Sequence, residues 1–94
     1  MKENDIVKAI LKYLKTVPHC FAWKEHGGMY GTAGIPDIIA FINGKFYAFE
    51  VKTPVGKPTA LQNSVIRKIK NCGGYAGIVR SVEDVKRILA DTSH

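Results

Sequence analysis

Three ionisable residues stand inside two stretches of the sequence that otherwise resemble apolar β-strands. Asp37 lies near the start of the first stretch, and Glu50 and Lys52 lie near the end of the second. Between the stretches, the pair Asn43-Gly44 is the strongest short signal for a β-hairpin. In an antiparallel hairpin the start of one strand lies beside the end of the other, so we expect Asp37 across from Glu50 and Lys52.

Glu50 and Lys52 share one face of their strand, because successive residues of a strand point to opposite faces. Burying an isolated charge is costly unless it is paired or bound to a metal, so these two residues either pair on an exposed patch or line a site. Carboxylate oxygens suit Mg²⁺ or Mn²⁺. Such an ion can bind a phosphodiester and lower the pKa of a water molecule, and a lysine can orient that water or offset charge on the phosphate. The set therefore suits metal-assisted phosphodiester hydrolysis.

Two helical segments each direct one polar residue toward the same region. Glu3 lies at the centre of the apolar arc of the first helix, and Gln62 lies within the apolar arc of the second. Each has an ordinary alternative: an acidic residue suits the first turn of a helix, and a glutamine suits the boundary of an apolar face. Likewise Asp37 could simply begin a strand. The joint occurrence of all five residues favours a site over five separate explanations.

Hydrophobic periodicity and turn residues predict one α/β domain over residues 1–94, in the order α-β-β-β-α-β-α. The connection from the third strand through a helix to the fourth is a crossover, so those two strands are predicted parallel and the sheet mixed. The apolar stripe of the second helix is assigned to Leu61, Val65, Ile69 and Cys72, and residues 90–94 are expected to fray. The predicted helices cover 3–16, 59–71 and a short segment after Ser81; the predicted strands cover 20–25, 36–42, 45–53 and 75–80.

Composition indicates a small basic globular protein. The 94 residues are 46% hydrophobic, and 14 lysines and arginines against 8 acidic residues give a formal net charge of +6. Such a charge attracts polyanions, of which nucleic acid is the commonest, although an ordinary basic surface is the alternative. No long apolar run or signal peptide is present, so we expect a cytoplasmic protein without membrane contact. Cys20 and Cys72 are expected to be reduced packing residues, since no zinc-binding spacing occurs.

These residues resemble the PD-(D/E)XK nuclease superfamily, whose pattern is present as Pro36-Asp37 followed by Glu50-Val51-Lys52. Within the superfamily the chain is most similar to the virus-type replication-repair nuclease (VRR-NUC) domain, through "GIPD", "FEVKT", Glu3 and the Gln62 that precedes "CGG". The similarity extends over roughly residues 1–89. The segment "WKEHGG" at 23–28 has no counterpart in the family pattern.

The resemblance implies a role for each site residue. Asp37 and Glu50 would hold Mg²⁺ or Mn²⁺ with the backbone carbonyl of Val51, and Glu3 would bind the metal directly or through water. Lys52 would act on the nucleophilic water, and Gln62 would help to hold the site. The remaining implications are a DNA substrate, branched as in four-way junctions, and a homodimer.

Residues near the proposed site are candidates for DNA contact. Lys24 and Lys57 flank loops near the strand ends, and Tyr30 lies in the glycine-rich stretch "HGGMYGTAG", which is expected to be a mobile loop. Solvated surface is the alternative for each lysine. The chief rival to a nuclease is a catalytically silent nucleic-acid-binding domain that kept the fold. A small protein-interaction domain with a basic surface is the third possibility.

Overall fold

The computed structural model describes residues 1–26 and 32–93. Within these residues the helices and strands follow the predicted order, so the α/β fold class is confirmed. Most boundaries agree with the sequence prediction to within two residues, which is the usual uncertainty at the ends of helices and strands. The elements are α1 (Glu3–Leu14), β1 (Cys20–Lys24), β2 (Ile38–Ile42), β3 (Lys45–Val51), α2 (Ala60–Asn71), β4 (Tyr75–Val79) and α3 (Val82–Thr92).

The four strands form one mixed sheet in the order β1-β2-β3-β4. The first three strands are antiparallel, and β3 and β4 are parallel, as the crossover through α2 predicts. The β2–β3 hairpin turns at Asn43 and Gly44, since Ile42 pairs with Lys45. Both turn residues have positive φ, 52° and 79°, which is the geometry of the two-residue type I′ turn. This local turn sets the register that brings Asp37 toward Glu50.

Helices cover both faces of the sheet. On one face the buried side chains of Ile38, Phe49 and Val51 pack with residues of α1 and α3, including Ile10 and Val85. On the other face, α2 packs on β3 and β4, where Ile66 meets two small side chains, Ala48 and Ala76. The central strand β3 is therefore covered on both sides, which is why its residues from 47 to 51 are buried whichever face they point to.

The assignment of the α2 stripe was wrong at both ends. The structure buries Val65 and Ile66, whereas Leu61 is 51% exposed and Cys72 is exposed. The physical reason is that α2 contacts the sheet where Ala48 and Ala76 leave room for Ile66, so the contact lies at the middle of the helix and not along its whole length. Both cysteines are free, and Cys20 is half-buried.

The C-terminal helix continues beyond the point predicted from the sequence. Residues 90–92 were expected to fray, but α3 extends to Thr92. Its last turn is attached to β3, because the Thr92 and Tyr47 hydroxyl oxygens are 2.7 Å apart and the Lys45 ammonium donates a 2.6 Å hydrogen bond to the Thr92 carbonyl. In the part of the chain that the structure describes, the helices are all too short or too polar to cross a membrane.

Candidate active site

Asp37 is held beside the end of β3 by its neighbours on both sides. Ile38 pairs with Phe49, so Asp37, which immediately precedes β2, lies opposite Glu50. Its side-chain Oδ2 accepts a 2.8 Å hydrogen bond from the backbone N–H of Val51, and its carbonyl accepts one of 2.7 Å from the N–H of Glu25. The structure thus brings Asp37 to the position that the hairpin predicts.

The approach of the chain to Asp37 depends on Gly34. This residue has φ of +81°, and a Cβ built on it would lie 2.8 Å from Leu61 Cγ and 2.9 Å from Val65 Cγ2. Any side chain would therefore collide with α2 and would also strain the backbone. The "GIPD" sequence has a physical explanation: glycine lets this segment pass close to α2 immediately before the carboxylate that faces Glu50.

Glu50 is a buried carboxyl beside a second carboxyl. Its exposure is 3%, and burial is the main cause that raises its pKa from the ordinary value of 4.5 to about 8. The next causes are a hydrogen bond with Asp37 and the negative charge of Asp37, while the positive charge of Lys52 acts in the opposite direction. Lys52 Nζ lies 3.8 Å from Glu50 Oε2, and its side chain is 14% exposed. The site therefore holds more negative than positive charge when both carboxyls are ionised.

Gln62 also contacts the Glu50 carboxyl. Its Nε2 donates a 3.3 Å hydrogen bond to Glu50 Oε2, while its Oε1 accepts a 2.9 Å hydrogen bond from the backbone N–H of Thr59. Thr59 Oγ1 in turn accepts from the Gln62 N–H at 3.1 Å, which completes a capping box at the start of α2. Because Thr59 uses the amide oxygen, the NH₂ group faces Glu50, and a glutamate at position 62 could not donate this bond.

Thr59 is a residue that the sequence analysis did not assign to the site. Its signal was present, since a threonine followed three residues later by glutamine is the capping-box pattern. The same glutamine that caps α2 also contacts the buried carboxyl. The start of the helix and the orientation of Glu50 are therefore linked through one side chain.

The remaining predicted site residues lie around this centre. Glu3 begins α1 with an exposed side chain, and its charge is the least of the causes that raise the pKa of Glu50. Lys24 ends β1 and is half-buried, and Lys57 is exposed in the segment between β3 and α2. Tyr30 lies outside the described residues, as does most of the glycine-rich stretch that was expected to be a mobile loop.

The oxygen atoms at the site suit a hard divalent cation. Within residues 1–26 and 32–93, no three His, Cys, Asp or Glu side chains are arranged to hold a metal by themselves. Mg²⁺, however, is commonly bound by one or two carboxylates together with water and substrate phosphates. Asp37 and Glu50 provide the two carboxylates. The N–H of Val51 points to Asp37, and because the N–H and C=O of one strand residue point to the same side, its carbonyl also points that way.

The fold as a whole is similar to that of solved structures. Comparison with family models and with curated proteins gives no match. Among solved structures, one named "VRR_NUC domain" matches with a TM-score of 0.78 at 20% identity, covering 98% of this chain and 97% of that one. Another, named "VRR_NUC domain protein", matches with a TM-score of 0.75 at 16% identity, covering 97% of this chain and 87% of that one. The chain has the VRR_NUC fold, and the resemblance predicted from the sequence is confirmed at that level.

Proposed function

We propose that this protein is a metal-dependent DNA endonuclease that hydrolyses phosphodiester bonds. The observation that carries the proposal is the meeting of two carboxyls and one ammonium at a single strand end: Asp37 lies opposite Glu50, and Lys52 Nζ is 3.8 Å from Glu50 Oε2. A buried carboxyl that borders another carboxyl is unfavourable for a purely structural position. The VRR_NUC fold adds support from an independent direction.

Each residue has a defined part in the proposed reaction. Asp37, Glu50 and the Val51 carbonyl would hold Mg²⁺ or Mn²⁺, with Glu3 contributing through water, as its exposed position suits. When bound, the ion would supply Lewis acidity toward the phosphate and would lower the pKa of the attacking water. Lys52 orients that water and offsets charge that develops on the phosphate. Gln62 keeps the Glu50 carboxyl in one orientation through its 3.3 Å hydrogen bond.

Basic residues beside the site would bind the DNA backbone. Lys24 ends β1 next to the segment that carries Asp37, and Lys57 is exposed five residues after Lys52. Phosphate contacts of this kind give affinity without sequence preference, which suits an enzyme that selects DNA by shape. Tyr30 is proposed to stack on a base or to contact a phosphate. The proposed substrate is branched DNA such as a four-way junction.

The decisive test is a cleavage panel of four-way junction, flap, nicked and linear DNA, each with Mg²⁺, Mn²⁺, Ca²⁺ or Zn²⁺ and with a chelator. We expect cleavage of the branched substrates with Mg²⁺ or Mn²⁺ and none after chelation, because the carboxylates alone supply no Lewis acid. Binding without cleavage under every metal would support the silent nucleic-acid-binding domain. Absence of any salt-sensitive DNA binding would support the protein-interaction domain.

A homodimer is part of the proposal, because two-fold symmetry would present two active sites to two strands of a junction. The sheet offers a face for the second copy. Because α2 packs on β3 and β4, it leaves four aromatic side chains of this face exposed or half-buried. We name this the aromatic face: Phe21, Trp23, Phe41 and Phe46. Successive rings in this order lie 5.3, 6.2 and 5.4 Å apart, and Phe21 and Phe41 are 70% and 43% exposed.

A second copy of the chain suits the aromatic face better than nucleic acid does, because the four side chains carry no charge and homodimer interfaces are rich in aromatic and poor in charged residues. Contiguous exposed apolar surface of this kind marks an interaction site.

We expect sedimentation at micromolar concentration to show a species of twice the 10.4 kDa chain mass. The double variant Phe21→Ser, Phe41→Ser should sediment as a monomer, since it removes the two most exposed rings of the aromatic face. Val55→Ser is the matched control, because Val55 is 88% exposed but lies outside this face. A wild-type protein that sediments only as a monomer, with and without DNA, contradicts the dimer.

A further inference from the structure

Arg80 bridges two carbonyls of a turn that lies far from it in the sequence. Its Nη1 donates a 2.5 Å hydrogen bond to the Thr53 carbonyl and a 2.7 Å hydrogen bond to the Gly56 carbonyl. The N–H of Gly56 also bonds to the Thr53 carbonyl at 3.0 Å, so these two residues close a tight turn. One guanidinium nitrogen carries two N–H groups and can satisfy both carbonyls at once.

The backbone of Arg80 is itself fixed by regular structure. Its N–H donates a 2.8 Å hydrogen bond to Asp84 Oδ2 in the first turn of α3. The preceding residue, Val79, ends β4, and its carbonyl accepts a 3.0 Å hydrogen bond from the N–H of Lys52. Arg80 therefore connects the end of β4 and the start of α3 to the separate turn formed by residues 53–56.

The turn from 53 to 56 joins the two halves of the proposed active site. It begins one residue after Lys52 and is followed by Lys57, and the connection ends at Thr59, the cap of the helix that carries Gln62. Within the described part of the chain, the Gly56 carbonyl accepts from Arg80, and the Thr53 carbonyl accepts from Arg80 and from the Gly56 N–H. Loss of the guanidinium would leave the half-buried Gly56 carbonyl to find water and the Thr53 carbonyl with only the bond that closes the turn, and it would free the backbone on one side of Lys52.

We propose that Arg80 is a positioning residue of this site: its guanidinium holds the Thr53–Gly56 turn so that Lys52 faces the DNA in one geometry. The inference rests on the proposed nuclease function. Arg80 acts through the turn and not on the substrate, so its removal should affect the chemical step more than binding. A displacement of about 1 Å in a reacting group can lower a rate by about a hundredfold.

The test compares Arg80→Ala and Arg80→Lys with the matched control Arg87→Ala. Arg87 is an exposed arginine of α3 that pairs with Asp84 at 3.0 Å, and its loss changes the net charge equally. With cleavage of four-way junction DNA measured per folded molecule, Arg80→Ala should lower kcat by about ten- to a hundredfold with little change in KM. Arg80→Lys should restore part of the rate, because an ammonium can donate to the same carbonyls. Arg87→Ala should cleave like the wild type.

Hydrogen exchange of the Gly56 amide provides a readout that does not depend on cleavage. We expect Arg80→Ala to accelerate exchange at Gly56, whose N–H bonds within the turn, and Arg87→Ala to leave it unchanged. The inference is overturned if Arg80→Ala has the kcat of the wild type. It is also overturned if the variant shows only a raised KM, because that result indicates that Arg80 contacts the phosphate directly. A wild-type protein that does not cleave overturns the proposed function instead, and Gly56 exchange then still decides whether Arg80 holds the turn.

Discussion

The variant Lys52→Ala is expected to lower DNA cleavage by about a hundred- to a thousandfold, the usual effect of removing one group that stabilises transition-state charge. DNA binding and folding should change little. Lys52 offers one ammonium 3.8 Å from the buried carboxyl of Glu50, and its N–H bond to the Val79 carbonyl belongs to the backbone, which alanine retains. The measurement is single-turnover cleavage of four-way junction DNA beside the dissociation constant for the same DNA.

Lys12→Ala is the control for this result, since Lys12 is an exposed lysine of α1 and its loss lowers the net charge by the same amount. It should cleave and bind like the wild type. If Lys52→Ala loses binding in step with cleavage, Lys52 serves affinity and has no part in the chemistry.

Asp37→Asn should abolish cleavage in the same assay for a complementary reason. An asparagine oxygen can still accept the hydrogen bond from the Val51 N–H, so the strand ends stay together while the negative charge for a cation is lost. Removing a negative charge near the DNA phosphates should also tighten DNA binding. Weaker binding by this variant would contradict the proposed placement of the phosphate.

Glu50→Gln is expected to abolish cleavage and yet to stabilise the fold at neutral and alkaline pH. The substitution keeps the volume of a side chain that is only 3% exposed, and its amide can accept from Gln62 and donate to Asp37. It removes a group that has to take up a proton on folding at neutral pH and that carries a buried negative charge beside Asp37 at alkaline pH. A variant that loses activity while it gains stability is typical of a strained functional site and would not be expected of a structural ion pair.

The pH dependence of stability follows from the raised pKa of Glu50. This pKa rises from 4.5 to about 8 because the carboxyl is buried and faces Asp37. Between these two values the native state holds a proton that the unfolded chain releases. The contribution of Glu50 to the free energy of unfolding is therefore fully present below pH 4.5 and is lost as the pH rises through 8. The slope reaches at most about 1.4 kcal/mol per pH unit.

Urea unfolding of the wild type and Glu50→Gln across this pH range measures the effect. The stability advantage of Glu50→Gln should grow as the pH rises, and Mg²⁺ at alkaline pH should stabilise the wild type more than the variant. Glu83→Gln, which neutralises an exposed glutamate of α3, should follow the wild-type pH dependence. Parallel pH curves for the wild type and Glu50→Gln would show that Glu50 titrates as an ordinary carboxyl.

The sequence by itself determined the hairpin and therefore the pairing of Asp37 with Glu50. Two residues that tolerate positive φ, Asn43 and Gly44, define the turn locally, and the strand alternation then fixes which residues lie opposite each other. The crossover topology also followed from the order of elements, because parallel strands need a long connection. The order of elements and the residue pairs of the β2–β3 hairpin could thus be predicted from local sequence patterns.

Tertiary packing alone decided the environment of these groups. The burial of Glu50 and its hydrogen bond with Gln62 depend on which residues of α2 contact the sheet. The hydrophobic periodicity of α2 predicted that set of residues incorrectly at both ends of the helix. The bond from Arg80 to Thr53 spans 27 residues, and the attachment of Thr92 to Tyr47 spans 45. Contacts between residues so far apart in the sequence depend on how whole helices and strands pack, and no local sequence pattern encodes them. The charge balance of the site and the contacts of the turn beside Lys52 could therefore be determined only from the tertiary structure.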